Sequence, residues 1–278
     1  MSLCVAWKWQ TKYCLATDSR IAGLGTESCD FGIKLLQLPF RVFTPEYNGK
    51  VEIIHESTLG LAFSGSYLSG FLTKERVAEV LFNLQFLGNK DDLTFDKIVN
   101  VISITFRHSM QALRSADMLW DTELLLIGTC PSSGCPKAYH VFPNNEGNTN
   151  AIEVLTKSDF DYLAIGTGSN YYQMLMDAAL EDGPIRVHFK ALELVRNTIQ
   201  QTAEITVGGD VQYGDLADDG NFRLMGVMHY LGTDEQLTKV RASCRGVDIE
   251  ELHQSNTSND LFVRYSFIDP FKPYNAVK

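Results

Sequence analysis

Three polar residues near the start of the chain have types and spacings suited to acyl transfer. Asp18 lies sixteen positions after Ser2, and Lys34 lies thirty-two after it. Ser2 follows only Met1, and methionine is normally removed before a residue as small as serine. The exposed Ser2 would then carry a hydroxyl nucleophile and, in its own α-amine, a base. A free α-amine titrates at about 7.7–8.0, so a useful fraction is neutral near neutral pH. A lysine ammonium beside it favours the neutral amine and the developing alkoxide. Asp18 would hold Lys34 in place and keep it charged. Cys4 is the other nucleophile nearby, but it has no amine of its own and falls in mid-strand.

The elements that must position these residues follow from hydrophobic periodicity. Residues 3–8 and 12–17 read as two short strands across a polar turn, and Asp18-Ser19-Arg20 leaves the second. Residues 21–32 read as a loop, and Ile33 to Leu38 as a strand. A hairpin tip around Asn48-Gly49 precedes strands at 51–54 and 58–63. Leu68, Phe71, Leu72, Val77, Val80 and Leu81 recur at helical spacing, and a second helix is expected from Phe95 to about Leu113. Leu124 to Gly128 is a buried-strand run, paired with 138–142 across a turn at 130–136. A strand at 162–165 ends in Gly166-Thr167-Gly168-Ser169. Helices at about 170–180 and 185–206 follow, then strands at about 210–216 and 222–229. Runs of strands alternating with helix pairs, without βαβ units, argue for an α+β fold. The expected architecture is a four-layer αββα sandwich, two antiparallel sheets between helix layers. Residues 1–229 form the expected domain, and 230–278 an appendage of uncertain structure.

Composition narrows the function. The 278 residues are 45% hydrophobic and 21% charged, an ordinary globular balance. The formal charge is −10, from 24 basic and 34 acidic residues, which argues against nucleic acid or an anionic membrane as partner. No apolar run is long enough for a transmembrane helix, and Lys8 interrupts the N-terminal stretch too early for a signal peptide. A cytoplasmic protein with reduced cysteines is expected. Cys130 and Cys135 flank a turn without the further soft ligands a zinc site needs, and the six histidines show no ligand spacing. No metal or other cofactor is expected.

Together these segments resemble the proteasome β-subunit family of N-terminal-nucleophile hydrolases, in its bacterial proteasome-like branch, over roughly residues 2–228. Ala16-Thr17-Asp18-Ser19-Arg20 is similar to the family's Ala-x-Asp-Ser-Arg segment, and Ile33-Lys34-Leu35 to the text around its lysine. Ala62-Phe63-Ser64-Gly65 resembles the turn whose glycine amide serves the oxyanion hole. Ala164-Ile165-Gly166-Thr167-Gly168-Ser169 resembles Ala-Ile-Gly-Ser-Gly-Ser, and Gly208-Gly209 follows the last long helix as a similar pair does in the family.

The resemblance implies catalytic roles for Ser2, Asp18, Lys34, Gly65, Thr167 and Glu204, with Ile21, Gly32, Phe63 and Tyr67 lining the substrate pocket. It implies a peptidase subunit acting on peptides or unfolded protein, a homo-oligomeric ring or related assembly, and an ATP-driven unfoldase as companion. The chain departs from the family in its serine nucleophile and in Val207, where the family often has a hydrogen-bonding residue. The structural alternatives are an ordinary Asp18–Lys34 ion pair, a turn role for Gly65 and a helix-capping role for Ser169. The functional alternatives are a catalytically inactive structural subunit and a small-molecule amidase.

Overall fold

The computed structural model describes residues 2–22, 28–46, 50–116, 122–144, 146–157, 159–181, 184–231, 238–245, 247–248 and 266–270. Met1, the Asn48-Gly49 tip and most of the 230–278 appendage lie outside the described residues. The chain opens with β1 (Cys4–Trp9), β2 (Lys12–Thr17), and the two-residue strands β3 (Ile21–Ala22) and β4 (Ser28–Cys29). Then come β5 (Leu35–Phe43), β6 (Ile53–Gly65), α1 (Tyr67–Leu81), β7 (Leu84–Gln85) and α2 (Phe95–Ser115). The middle of the chain gives β8 (Thr122–Thr129), β9 (Pro136–Pro143), β10 (Thr149–Val154), β11 (Phe160–Ile165), α3 (Ser169–Leu180) and α4 (Pro184–Gln201). It closes with β12 (Gln212–Leu216), β13 (Phe222–Leu231), β14 (Thr238–Cys244), β15 (Val247–Asp248) and β16 (Phe267–Ile268).

One sheet runs β11-β1-β2-β12-β13-β14-β15, with β16 parallel to β13; the other runs β10-β9-β8-β6-β5-β7. Strand alternation divides the core. In β8, Leu124 and Leu126 face α1 and α2, while Leu125 and Ile127 face the other sheet. In β1, Val5 and Trp7 lie with the α3–α4 side, and Cys4 and Ala6 lie between the sheets. Strands buried on both faces read as near-continuous apolar runs, as these do. Helix α2 buries Phe95, Ile98, Val99, Ile102, Phe106, Met110 and Leu113, an apolar stripe at helical spacing. Each such side chain contributes about 1.5–3 kcal/mol on full burial. Ser66 caps α1 by accepting from the Ser69 amide at 3.3 Å. No helix among the described residues is long and apolar enough to cross a membrane.

The even four-layer αββα sandwich expected from the sequence is corrected by this structure. The protein is mostly sheet, 41% strand against 29% helix, with four α-helices among the described residues and curled sheets. Two causes are visible. The expected strands at 51–54 and 58–63 are one thirteen-residue strand, β6, and β5 runs on to Phe43. Strands absent from the sequence reading (β7, β10, β14, β15 and β16) extend the two large sheets, and β3 and β4 pair as a small sheet of their own. Strand β10 shows why they escaped: its residues are largely exposed and lack the alternation that marks a half-buried strand. Breaks in register between Val42 and Phe43, and between His229 and Tyr230, add local twist. Helix α4 also ends at Gln201, earlier than its apolar periodicity suggests.

Candidate active site

The site is built around Asp18, which leaves the end of β2 with no solvent exposure. Its Oδ1 accepts from the Leu3 amide at 2.9 Å and from Lys34 Nζ at 2.9 Å. Its Oδ2 accepts from Lys34 Nζ at 3.0 Å and from the amides of Arg20 and Gly208, both at 3.2 Å. Burial pushes the Asp18 carboxyl above its ordinary value, while the Lys34 charge and the Leu3 and Gly208 amides oppose that shift. Lys34 is 2% exposed, so both members of the ion pair are out of water. Such a pair is held by geometry, because each partner left alone would be an uncompensated buried charge.

Ser2 is buried one residue from this pair. Its carbonyl accepts from the Gly168 amide at 3.4 Å. Gly166, at φ +90°, presses onto it: a Cβ there would overlap the Ser2 carbonyl oxygen and the Ser64 Oγ. The β11–α3 turn therefore packs directly on the Ser2 backbone, and only glycine fits both the conformation and the space. Ser169 Oγ donates to the Gly166 carbonyl at 2.7 Å, bracing that turn.

The remaining residues singled out from the sequence are distributed unevenly. Gly65 ends β6 at φ +113°, a conformation that favours glycine, immediately before the α1 cap. Thr167 Oγ1 lies 2.8 Å from Thr206 Oγ1, joining the two segments that flank Ser2. Glu204 is exposed, on the turn after α4, where its carbonyl accepts from Val207 N at 3.0 Å. Val207 is buried against Gly168 and Leu3. Ile21 packs on Gly32, whose amide donates to the Ser19 carbonyl at 2.7 Å. The Phe63 amide donates to the Lys34 carbonyl at 3.2 Å. Its ring is 2% exposed, enclosed against Gly70 of α1 and 6.1 Å from the Tyr67 ring. The Cys4 thiol is fully buried and pushed far up by desolvation, which disqualifies it as a nucleophile.

Several positioning residues were not anticipated. Gln212, 1% exposed on β12, accepts from the amides of Lys34 and Leu35 through Oε1, both at 3.0 Å. Its Nε2 donates to the Gly32 carbonyl at 2.6 Å. One side chain thus clamps the segment carrying Lys34. The available signal was a glutamine inside a buried strand, since a buried amide must find partners. Arg20 binds Asp30 through Nε and Nη2 at 2.6 and 3.0 Å, and donates to the carbonyls of Ile205 and Val207. It fastens the 205–208 turn that supplies the Gly208 amide.

No family model matches the sequence, and no curated protein matches it. Solved structures do. The chain is similar to Anbu (ancestral beta-subunit) from Yersinia bercovieri, with a TM-score of 0.55 and 16% identity over 80% of this chain and 86% of that one. It is similar to the chain in the helical assembly of the Anbu complex from Pseudomonas aeruginosa, with a TM-score of 0.53 and 16% identity over 86% of both. These likenesses establish the fold. They also correct the assignment to the proteasome β-subunit family and its bacterial branch, because Anbu proteins are proteasome-like but distinct. In this chain the motifs that suggested that assignment form a buried acid–lysine pair and a glycine turn against the Ser2 backbone. The fold of this chain is that of the Anbu ancestral β-subunits.

Proposed function

We propose that this chain is an N-terminal-nucleophile hydrolase that cleaves peptide bonds through Ser2, as a subunit of a homo-oligomeric Anbu-like assembly. One observation carries the reading. The buried Asp18 carboxylate binds the amide of Leu3, the residue after Ser2, and the Lys34 ammonium together. With Met1 removed, the Ser2 α-amine takes the proton from its own hydroxyl, and Oγ attacks the substrate carbonyl. The Lys34 charge favours the alkoxide and the neutral amine. The Gly65 amide is the proposed donor to the tetrahedral oxyanion; a donor of that kind is worth about 2.7–4 kcal/mol. The amine then protonates the leaving nitrogen, and water releases the acyl-enzyme. Peptides or unfolded protein are the proposed substrates, with an ATP-driven unfoldase as the proposed source of unfolded chains. The solved helical assembly of a similar chain supports the oligomer. Free thiols at Cys4, Cys14, Cys29, Cys130 and Cys135 support a cytoplasmic setting.

The test combines intact mass, peptide hydrolysis and a covalent inhibitor of N-terminal nucleophiles. The reading requires mass without Met1, labelling at Ser2, and loss of both labelling and hydrolysis in Ser2→Ala. Retained Met1 in folded protein, or labelling unchanged in Ser2→Ala, overturns it. A catalytically silent structural subunit is the second reading. It is favoured by the apolar Val207, which is buried, and by the exposure of Glu204.

A further inference from the structure

The two cysteines that flank the β8–β9 turn have no part in the Ser2 site, and the fold sets them opposite one another. The ladder between the strands pairs Ile127 with Ala138, Gly128 with Lys137 and Thr129 with Pro136. It continues one step further, because the Cys130 amide donates to the Cys135 carbonyl at 2.9 Å. Pro131-Ser132-Ser133-Gly134 closes the turn, with the Gly134 amide donating to the Cys130 carbonyl at 2.8 Å. Opposed residues of an antiparallel pair send their side chains to one face, with Cα atoms about 4.5–5.5 Å apart. A disulfide spans Cα separations of about 4.4–6.8 Å, so this register suits one. Cys130 Sγ lies 3.4 Å from Ser132 Oγ, and Cys135 Sγ lies 3.7 Å from the Ser133 carbonyl oxygen. Both thiols therefore lean on the same turn.

The two thiols differ as a reactive pair must. Cys135 is exposed, whereas Cys130 is 3% exposed. A dissolved reagent reaches the first and is kept from the second. Burial raises the Cys130 thiol, but hydrogen bonds from Ser132, Ser133 and the Phe95 amide outweigh it and bring the thiol down to about 7. A substantial share of Cys130 is therefore thiolate at neutral pH, the form that attacks a neighbouring sulfur. Cys29 provides the contrast. It is exposed too, but its partner across the β3–β4 pair is Ile21.

We propose that Cys130 and Cys135 form a reversible disulfide site that exchanges with small-molecule disulfides. The Cys135 thiolate attacks one sulfur of the incoming disulfide, whose S–S bond breaks and releases a thiolate. The Cys130 thiolate then attacks the Cys135 sulfur of that mixed disulfide. The Cys130–Cys135 bond forms, and the second small thiolate leaves. The protein gives up two electrons and the two thiol protons, and the reagent is reduced to two thiols. The four-residue turn holds Cys130 at high effective concentration beside Cys135, so the internal step outruns attack by a second external thiol. The same steps in reverse restore both thiols. The turn lies at the opposite end of β8 from Thr122, which pairs with Gly65, so this site is separate from the Ser2 cluster.

The test uses the full chain without peptide substrate, so its result is independent of hydrolysis. Oxidised glutathione is titrated at constant reduced glutathione, and the reaction is quenched in acid. Free thiols are alkylated, and each cysteine is mapped by peptide mass. In the wild type the Cys130 and Cys135 peptides become linked, without a glutathione adduct on either. The link forms at oxidised glutathione concentrations about tenfold or more below those that half-modify Cys29, and excess reduced glutathione removes it. Cys130→Ser accumulates a stable glutathione adduct on Cys135. Cys135→Ser, a change at an exposed position, leaves Cys130 unmodified in the folded chain. A wild type in which Cys135 accumulates the adduct as Cys29 does, or in which both thiols stay free while Cys29 is modified, overturns the proposal.

Discussion

Leu3 and Asp18 hold each other from both sides. The Leu3 amide donates to Asp18 Oδ1 at 2.9 Å, and the Asp18 amide donates to the Leu3 carbonyl at 3.1 Å. The first strand is thereby locked to the residue that also binds Lys34. Any displacement of Asp18 moves the backbone carrying Ser2.

Asp18→Asn removes the charge that Lys34 faces. A buried ammonium left without its partner costs about 3–5 kcal/mol. The double change Asp18→Asn with Lys34→Met removes both charges and recovers much of that loss. Lys34→Ala alone leaves Asp18 unpaired, so it lowers stability as well as turnover. Urea unfolding of the three variants checks this. Equal stability of the single and double variants would show the pair to be energetically uncoupled.

Gly166→Ala strains a residue at φ +90° and drives a methyl into the Ser2 carbonyl. Backbone strain of this kind costs roughly 1–3 kcal/mol. Because the obstacle is backbone, relief comes through movement of Ser2. A misplacement near 1 Å costs about 100-fold in turnover. The check is kcat/KM beside a thermal melt; a lowered Tm with full activity would contradict the coupling between this turn and Ser2.

Phe63→Ala separates two roles for one residue. A pocket-lining ring would change cleavage preference when removed. A ring enclosed against Gly70 instead leaves a cavity worth about 3–5 kcal/mol in lost stability. The structure predicts the second outcome, with an unchanged preference across a peptide library in the folded fraction.

His229 makes folding acid-sensitive. Burial first, and then Arg241 and Arg196, hold its folded pKa below the ordinary histidine value, against the opposing pull of Asp210 and Asp248. The unfolded chain therefore binds a proton more readily. Stability is fully present above about pH 6.5 and declines as pH falls through the unfolded and then the folded pKa. A Tm series in low-phosphate buffer should show a shallower acid decline for His229→Gln than for the wild type. Parallel curves would remove His229 from the account.

Local pattern made much of this molecule legible. The seven-residue apolar stripe of α2 announces its helix, and the run from Leu124 to Ile127 announces a strand buried on both faces. The spacing of Ser2, Asp18 and Lys34 marks candidates for one site, since each falls next to a strand boundary that periodicity locates. These are properties of side chains a few positions apart, and hydrophobic period is a local quantity.

What tertiary structure decided are contacts that no period encodes. Gln212 reaches Lys34 across 178 positions, Gly208 reaches Asp18 across 190, and Thr206 meets Thr167 across 39. Each answers a buried group that must find a hydrogen-bond partner, and the chain's path alone determines which partner is near. The same holds for the exposed edge strands that make this a sheet-dominated fold. Their residues have no buried face to write into the sequence, and they pair because a neighbouring strand offers open amides and carbonyls.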